Sequence, residues 1–372
     1  MKIGVPKEIK NHEYRVGMTP ESVAEATRHG HAVFVETGAG LGIGAADDDY
    51  RSAGATVLAT PEEIFAAAEM IVKVKEPQAA ERARLRPQQI LFTYLHLAPD
   101  APQTADLIAS GATCIAYETI TDRFGGLPLL KPMSQVAGRM SVQAGATALE
   151  KSHGGIGLLL GGVPGVEPAK VVVIGGGVVG HNATQMAVGL RADVTVLDTN
   201  ATVLERYDSE FGSAVKTAYS TRTTIEKLVL QADLVIGAVL IPGAAAPKLV
   251  TRNMVSRMKQ GAVLVDVAID QGGCFETSKA TTHAAPTYIV DGVVHYCVAN
   301  MPGAVARTST YALNNATLPC LLRIADKGWK RALKEDEHLR NGLNVCAGKV
   351  TNAPVAEALG YDYHAADVFL DA

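Results

Sequence analysis

Aromatic residues are scarce in this chain: seven Phe, eleven Tyr and one Trp make up 5% of its 372 residues. That excludes a core built mainly from rings, so Val, Ile, Leu and Ala must fill it within a composition that is 48% hydrophobic. Cysteine is sparse too. Cys114, Cys274, Cys297, Cys320 and Cys346 are odd in number and far apart, and no Cys-x-x-Cys or His-Glu-x-x-His motif occurs. No disulfide framework and no metal site is expected; Cys114 and Cys297 lie in apolar runs and read as small buried hydrophobes. A basic tract is missing as well. The balance of 34 basic against 38 acidic residues gives a net charge of −4, which lacks the footprint of a nucleic-acid binder. The longest apolar stretch, Leu234 to Pro247, is interrupted by Gly and Pro and falls short of the ~20 residues a membrane helix requires. The opening run Met1-Lys2-Ile3-Gly4-Val5-Pro6-Lys7-Glu8 is charged where a secretory leader is apolar. Together with reduced thiols, these features predict a soluble, cytoplasmic protein without a membrane or nucleic-acid partner.

What is present begins with Val171-Val172-Val173-Ile174-Gly175-Gly176-Gly177-Val178-Val179-Gly180. Four β-branched residues predict a buried parallel strand running into Gly-x-Gly-x-x-Gly. There, a tight turn needs one glycine and a pyrophosphate needs bare backbone close by. The helical stretch Asn182 to Leu190 follows, and its free N–H groups at the start would face the phosphates. A second strand, Asp193 to Leu197, ends at Asp198, about 20 residues beyond the middle glycine, where a carboxylate hydrogen-bonds an adenosine ribose. The full context predicts dinucleotide binding. The charge of Asp198 would repel a ribose phosphate and so favours NAD over NADP; the same residue could also cap the helix starting near Asn200.

The length suits two domains, and strands alternate with helices throughout. Strand Lys2 to Pro6 precedes a helix capped by Thr19 with Pro20 in its first turn. Strand Ala32 to Thr37 follows, then a capping-box helix at Thr60-Pro61-Glu62-Glu63, then strands Met70 to Lys75, Gln89 to Leu95 and Thr113 to Tyr117. A helix from Ser134 to Lys151, with Ser134 as its cap, connects to the glycine-rich loop Gly154 to Gly165. Beyond the dinucleotide motif come strands Ala232 to Ala238, Ala262 to Val267 and Tyr288 to Val298. After Pro302 the pattern turns helical and ends in short polar helices. The predicted fold is α/β, with two Rossmann-like doubly wound domains. Residues 131–305 form the nucleotide domain, inserted into a discontinuous domain of residues 1–130 and 306–372.

Ligands in open α/β sheets collect beyond the carboxyl ends of the strands. That rule selects Lys75 after Ile71-Val72-Lys73-Val74, His96 after Leu91-Phe92-Thr93-Tyr94-Leu95, Arg15 in the loop after the first strand, and Asp270 after Val263 to Ile269. Each has a plain alternative: a solvated surface charge for Lys75 or Arg15, a structural imidazole for His96, a turn cap for Asp270. As a set they fit one chemistry. Two cations would hold a carboxylate, an imidazole would move protons, and a carboxylate would steady a developing ammonium.

These residues sit in segments that resemble the NAD-dependent alanine dehydrogenases essentially from end to end. The segments are Lys2 to Lys10 (KIGVPKEIK), Glu13-Tyr14-Arg15-Val16, Val74-Lys75-Glu76-Pro77, Thr93 to Ala98 (TYLHLA), Met133 to Arg139 (MSQVAGR), Asp266 to Gly273 (DVAIDQGG) and His295 to Gly303 (HYCVANMPG). The resemblance implies that Arg15 and Lys75 bind the substrate carboxylate and carbonyl, and that His96 and Asp270 are the catalytic pair. It also implies NAD contacts from Ser134, Gly175, Gly177, Val178, Val179, Gly180, Asp198, Ser220, Val239, Leu240, Val267, Ala268, Ile269, Asp270, Val298, Ala299, Asn300 and Met301. The implied reaction is reversible oxidative deamination of L-alanine to pyruvate and ammonium by a homohexamer, with Tyr94 and Met133 as candidate walls around the substrate methyl. The long helix, with Gly138, Ala144, Gly145, Ala146 and Ala148, would serve either assembly or close packing inside one chain. The NAD(H)-binding subunit of proton-pumping transhydrogenases shares the architecture, but its Arg-Ala-Gln stretch has no counterpart near Pro132-Met133-Ser134. Saccharopine-type dehydrogenases and a non-catalytic NAD sensor are further readings, the last predicting binding without turnover.

Overall fold

The computed structural model describes residues 1–239 and 246–371. The chain divides into two compact units, Met1–Met133 with Val305–Ala372, and Ser134–Ala304. In the first, β1 (Lys2–Val5), β2 (Ala32–Glu36), β3 (Thr56–Leu58), β4 (Met70–Val72), β5 (Ile90–Thr93) and β6 (Thr113–Ala116) are parallel, in the spatial order β3-β2-β1-β4-β5-β6. In the second, β7 (Lys170–Ile174), β8 (Asp193–Asp198), β9 (Val215–Tyr219), β10 (Leu234–Gly237) and β11 (Val263–Asp266) are parallel, with β12 (Thr287–Val290) antiparallel to the parallel strand β13 (Val293–Tyr296). Their order, β9-β8-β7-β10-β11-β13-β12, repeats the 3-2-1-4-5-6 winding of the first sheet. Both units are therefore Rossmann-type α/β folds, each with a crevice where the winding reverses.

Burial on both sheet faces explains the unbroken apolar strands. Val171 and Val173 of β7 join one buried cluster and Val172 and Ile174 another. Local signals place the helices. Thr19 Oγ1 accepts the Ser22 amide at 3.2 Å ahead of Pro20–Arg28, and Thr60 and Glu63 cap each other reciprocally ahead of Pro61–Ala67.

Four sequence expectations need correction. The stretch from Tyr288 to Val298 is a hairpin rather than one strand, because Asp291 and Gly292 have φ of 50° and 80°, the two positive values that a two-residue turn needs. The long helix runs Lys131–Ala148, so Ser134 lies inside its first turn and does not cap it; Pro132 is tolerated there because early helical N–H groups have no partner. The helix after the glycine turn spans Val178–Gly189 and starts directly in the turn. The C-terminal segment is not purely helical: β14 (Leu343–Cys346) pairs antiparallel with β6, and β15 (Lys349–Val350) extends that edge. Strands β3 and β9 add to both sheets without having been anticipated.

Close packing inside the chain accounts for the small residues of the helix Lys131–Ala148. A Cβ at Gly138 would fall 2.2 Å from the Val179 carbonyl oxygen, and one at Gly145 would fall 2.7 Å from the Leu234 side chain.

Candidate active site

In the first unit, the chemistry gathers beside the reversal point between β1 and β4. Glu8, just beyond β1, is buried, and its Oε1 accepts the Val74 amide at 2.6 Å and the Lys75 amide at 3.4 Å. That ties the loop carrying Lys75 to the end of β1. Lys73, two residues earlier, points inward and is fully buried, with its Nζ 2.9 Å from Glu8 and 2.7 Å from Glu81. Burial opposes its charge, but the two carboxylates outweigh that and hold its pKa above the ordinary lysine value. The chain leaves the strand after Val72, and the two lysines part there: Lys73 is structural and buried, Lys75 is half-buried.

Arg15 is 2% exposed. Its Nε donates to Glu13 Oε1 at 2.7 Å, its Nη2 to Glu13 Oε2 at 2.5 Å, and its Nη1 to Met133 Sδ at 3.0 Å. Burial works against the guanidinium charge, yet the Glu13 pair leaves its pKa raised. Because Glu13 already balances that charge, Arg15 offers direction more than net charge. Tyr94, buried and with its pKa driven far upward by burial, donates its hydroxyl to the Leu129 carbonyl at 2.6 Å. Its ring stacks on His96 at 5.7 Å and 7°. The backbone ties the other side, where Tyr94 N donates to Val74 O at 3.3 Å and Thr93 Oγ1 to Lys75 O at 3.0 Å. Arg15 also interacts electrostatically with Tyr94, so the structure brings Arg15, the Lys75 backbone, Tyr94, His96 and Met133 into one neighbourhood.

His96 has φ of 50°, a left-handed conformation that a non-glycine residue holds only under local constraint. The constraint is Glu118, whose carboxylate accepts the amides of Leu95 at 3.2 Å and His96 at 2.6 Å and stands 3.9 Å from His96 Nδ1. The imidazole is 44% exposed, open to a substrate proton.

In the second unit, Gly175 has φ of 101°, and a Cβ there would meet the Ala238 carbonyl oxygen at 2.8 Å. A Cβ at Gly180 would fall 1.8 Å from the Gly175 oxygen, whereas at Gly177 it would meet nothing within 4 Å. Gly177 caps the helix Val178–Gly189 without a side-chain hydrogen bond, so the first amides have no capping side chain and fit a phosphate. Asp198 Oδ2 accepts the Gly176 amide at 2.7 Å and Oδ1 the Asn200 amide at 2.8 Å. The cap of the following helix is Asn200, whose side chain accepts Thr202 N; Asp198 braces the glycine turn instead. This arrangement fits a dinucleotide: bare backbone at Gly177, open helix amides, and a braced carboxylate at the ribose position.

Most of the other candidates occupy strand ends of the same sheet. Ser220 follows β9 and donates its amide to Asp198 O at 3.0 Å. Val239 follows β10, beside Gly175. Val267, Ala268, Ile269 and Asp270 form a short 3-10 turn after β11, with Asp270 exposed. Val298, Ala299, Asn300 and Met301 follow β13, and Asn300 has φ of 71°. Ser134 lies one helical turn before Gly138, whose position abuts Val179. Leu240 lies outside the described residues. Sequence reasoning missed Glu8, Glu13, Lys73, Glu81 and Glu118. Charged residues flanking apolar strands were the only signal for them, and nothing in the pattern separates a buried pair from a solvated one.

A braced glycine turn on one Rossmann sheet and an imidazole with basic side chains on another define a nucleotide-dependent oxidoreductase of two α/β units. The chain belongs to the alanine dehydrogenase/PNT family, whose N-terminal domain model matches residues 4–137 and C-terminal domain model residues 141–353. It is 63% identical over 363 residues to the alanine dehydrogenase of Halomonas elongata, covering 98% of each chain. A solved L-alanine dehydrogenase superposes with a TM-score of 0.94 at 53% identity, over 97% of this chain and 99% of that one. A transhydrogenase from Sinorhizobium meliloti gives 0.81 at 25% identity, over 95% and 99%.

Proposed function

We propose that this chain is an NAD-dependent L-alanine dehydrogenase, converting L-alanine, NAD and water to pyruvate, ammonium, NADH and a proton. The observation that carries this reading is the placing of Arg15, Lys75 and His96 in the segments that follow the neighbouring strands β1, β4 and β5. A protein that only bound NAD would have no use for these groups.

Nicotinamide, when bound, accepts the hydride from the α-carbon. Arg15 and Lys75 hold the substrate carboxylate, with Arg15 fixed in direction by Glu13 and Lys75 supplying the charge. The substrate ammonium first loses a proton, the one released in the overall equation. Loss of the α-hydride from the neutral amine then leaves an iminium, and water must add to its carbon. His96 takes a proton from that water, then returns one to the departing nitrogen as the carbinolamine collapses. The Lys75 ammonium stabilises charge developing on the carbonyl oxygen. Asp270 favours the cationic amine and imine through its carboxylate.

Asp198 favours NAD over NADP, since a 2′-phosphate would meet its charge. The remaining contacts to NAD are assigned to Ser134, the 175–180 turn, Ser220, Val239, Leu240, Val267 to Asp270 and Val298 to Met301. The boundaries of the NAD-binding domain are taken as residues 131–305. No helix among the described residues is long and apolar enough to cross a membrane, and we assign the protein to the cytoplasm as a homohexamer.

The test is spectrophotometric: NADH formation at alkaline pH from L-alanine with NAD or NADP, beside D-alanine, L-serine and glycine. Rapid reduction of NAD by L-alanine supports the reading. Tight NADH binding with no turnover of any amino acid refutes it and favours the transhydrogenase-like alternative.

A further inference from the structure

The 3-10 turn that carries Asp270 is gripped from two sides by opposite charges. On the inner side, Asp266 at the end of β11 is fully buried. Its Oδ1 accepts the Ala268 amide at 3.1 Å, and its Oδ2 accepts the amides of Cys274 at 2.9 Å and Phe275 at 3.3 Å together with the Ser278 hydroxyl. A single carboxylate therefore holds both ends of the 268–274 loop. On the outer side, Lys248 Nζ donates to the carbonyls of Gly272, Gly273 at 2.8 Å and Phe275 at 3.3 Å. All three donors of the ammonium are spent on this loop. Backbone pairing reinforces it: Ala246 N donates to Gln271 O at 3.0 Å and Leu249 N to Cys274 O at 2.7 Å. Gly272 and Gly273 have φ of 85° and 75°, and a Cβ at Gly273 would lie 2.6 Å from Asp266 Oδ2.

Amides turn inward to an anion and carbonyls turn outward to a cation, so the loop's peptide dipoles are aligned by the two charges. A short loop closed by hydrogen bonds of this kind has few alternative conformations. Asp270 is the exposed side chain at its crest. We propose that Lys248 and Asp266 are positioning residues that hold Asp270 in its reactive orientation. This rests on the assignment of Asp270 to the chemistry.

The experiment compares the full-length variants Lys248→Met, Lys248→Arg, Ser278→Ala and Asp270→Ala for kcat, KM for L-alanine, NADH affinity by fluorescence and melting temperature. Misplacement of a reacting group by about 1 Å costs up to ~100-fold. Lys248→Met is expected to lower kcat by roughly tenfold or more, with a melting temperature close to wild type. Lys248→Arg, which keeps a multidentate cation, recovers most of the loss, and Ser278→Ala lowers kcat by a smaller factor with little change in melting temperature. Wild-type kcat in both Lys248→Met and Ser278→Ala, with Asp270→Ala inactive, overturns the inference alone. A parallel fall in kcat and melting temperature that arginine does not restore also overturns it, as general damage. An active Asp270→Ala variant instead overturns the assignment of Asp270 itself.

Discussion

The carboxylate of Asp198 accepts the amide hydrogen of Gly176 at 2.7 Å, so the residue that would select the ribose also fixes the turn that would hold the pyrophosphate. Asp198→Asn keeps an acceptor for Gly176 and removes the charge. It is expected to narrow the preference for NAD over NADP by roughly tenfold or more, the scale of one charged hydrogen bond. Asp198→Ala loses the brace as well and weakens both cofactors. The ratio of kcat/KM for the two nucleotides checks this, and an unchanged ratio in Asp198→Asn contradicts it.

Two glycines of one motif separate folding from binding. Gly180→Ala would place a methyl 1.8 Å from the Gly175 carbonyl oxygen, costing about 3 kcal/mol or more by overpacking. Gly177→Ala meets no protein atom within 4 Å, so its melting temperature should match wild type. Its methyl would instead stand where bare backbone is needed, weakening NADH binding. Thermal unfolding with and without NADH distinguishes them, and equal effects of the two variants would refute the phosphate-site reading.

Lys73 and Lys75 give a second contrast. Lys73→Met strands Glu8 and Glu81 in the interior, which should cost ~3–5 kcal/mol. Lys75→Met should leave stability within about 0.5 kcal/mol while lowering kcat/KM by ~10²-fold or more, the scale of a lost electrostatic contact to the reacting oxygen. Urea denaturation alongside kinetics reads both, and the reverse pattern would mean the two roles are exchanged.

His295 sets an acid limit on stability. It is fully buried, its Nδ1 faces the Val293 carbonyl at 2.9 Å, and its Nε2 faces the Thr277 hydroxyl at 2.7 Å. A carbonyl only accepts, so the proton sits on Nδ1 and Thr277 donates to Nε2. Burial, the largest influence, lowers its pKa from 6.5 in the folded state. Below about pH 6.5 the unfolded chain binds a proton that the folded chain refuses, and stability falls until the lowered folded value is passed. His295→Gln should flatten this loss by up to ~1.4 kcal/mol per pH unit. Urea midpoints of both proteins at pH 7 and 5.5 provide the check; equal shifts would show that His295 does not contribute.

Sequence and structure agree most closely where local chemistry decides the outcome. Thr19, Thr60 and the β7–glycine-turn–helix segment were legible because caps and glycine turns act within a few residues. The doubly wound α/β class of both sheets followed from alternating strands and helices, although the edge strands β3 and β9 did not. The hairpin at Asp291-Gly292 was legible in principle, since Asp-Gly between apolar runs is a strong turn signal, but the surrounding hydrophobicity masked it. The hairpin joining β14 and β15 was not: its two-residue turn sets Ala347 at φ of 47° beside Gly348 at 76°, a conformation alanine rarely adopts, and β14 takes its place by pairing with the distant β6. The site shows the same division. Arg15, Lys75, His96 and Asp270 stand at strand ends where the fold rule looks for them. Glu8, Glu13 and Glu118, which orient the first three, depend on burial that no sequence period reveals.

The central claim is that the α-hydrogen of L-alanine leaves as hydride to NAD. L-alanine deuterated at the α-carbon, incubated with the protein and NAD, tests it most directly by mass spectrometry of the nicotinamide product. The account predicts deuterium in the reduced nicotinamide, with pyruvate and ammonium formed in equal amounts. Unreduced NAD, or deuterium released to water, would contradict it.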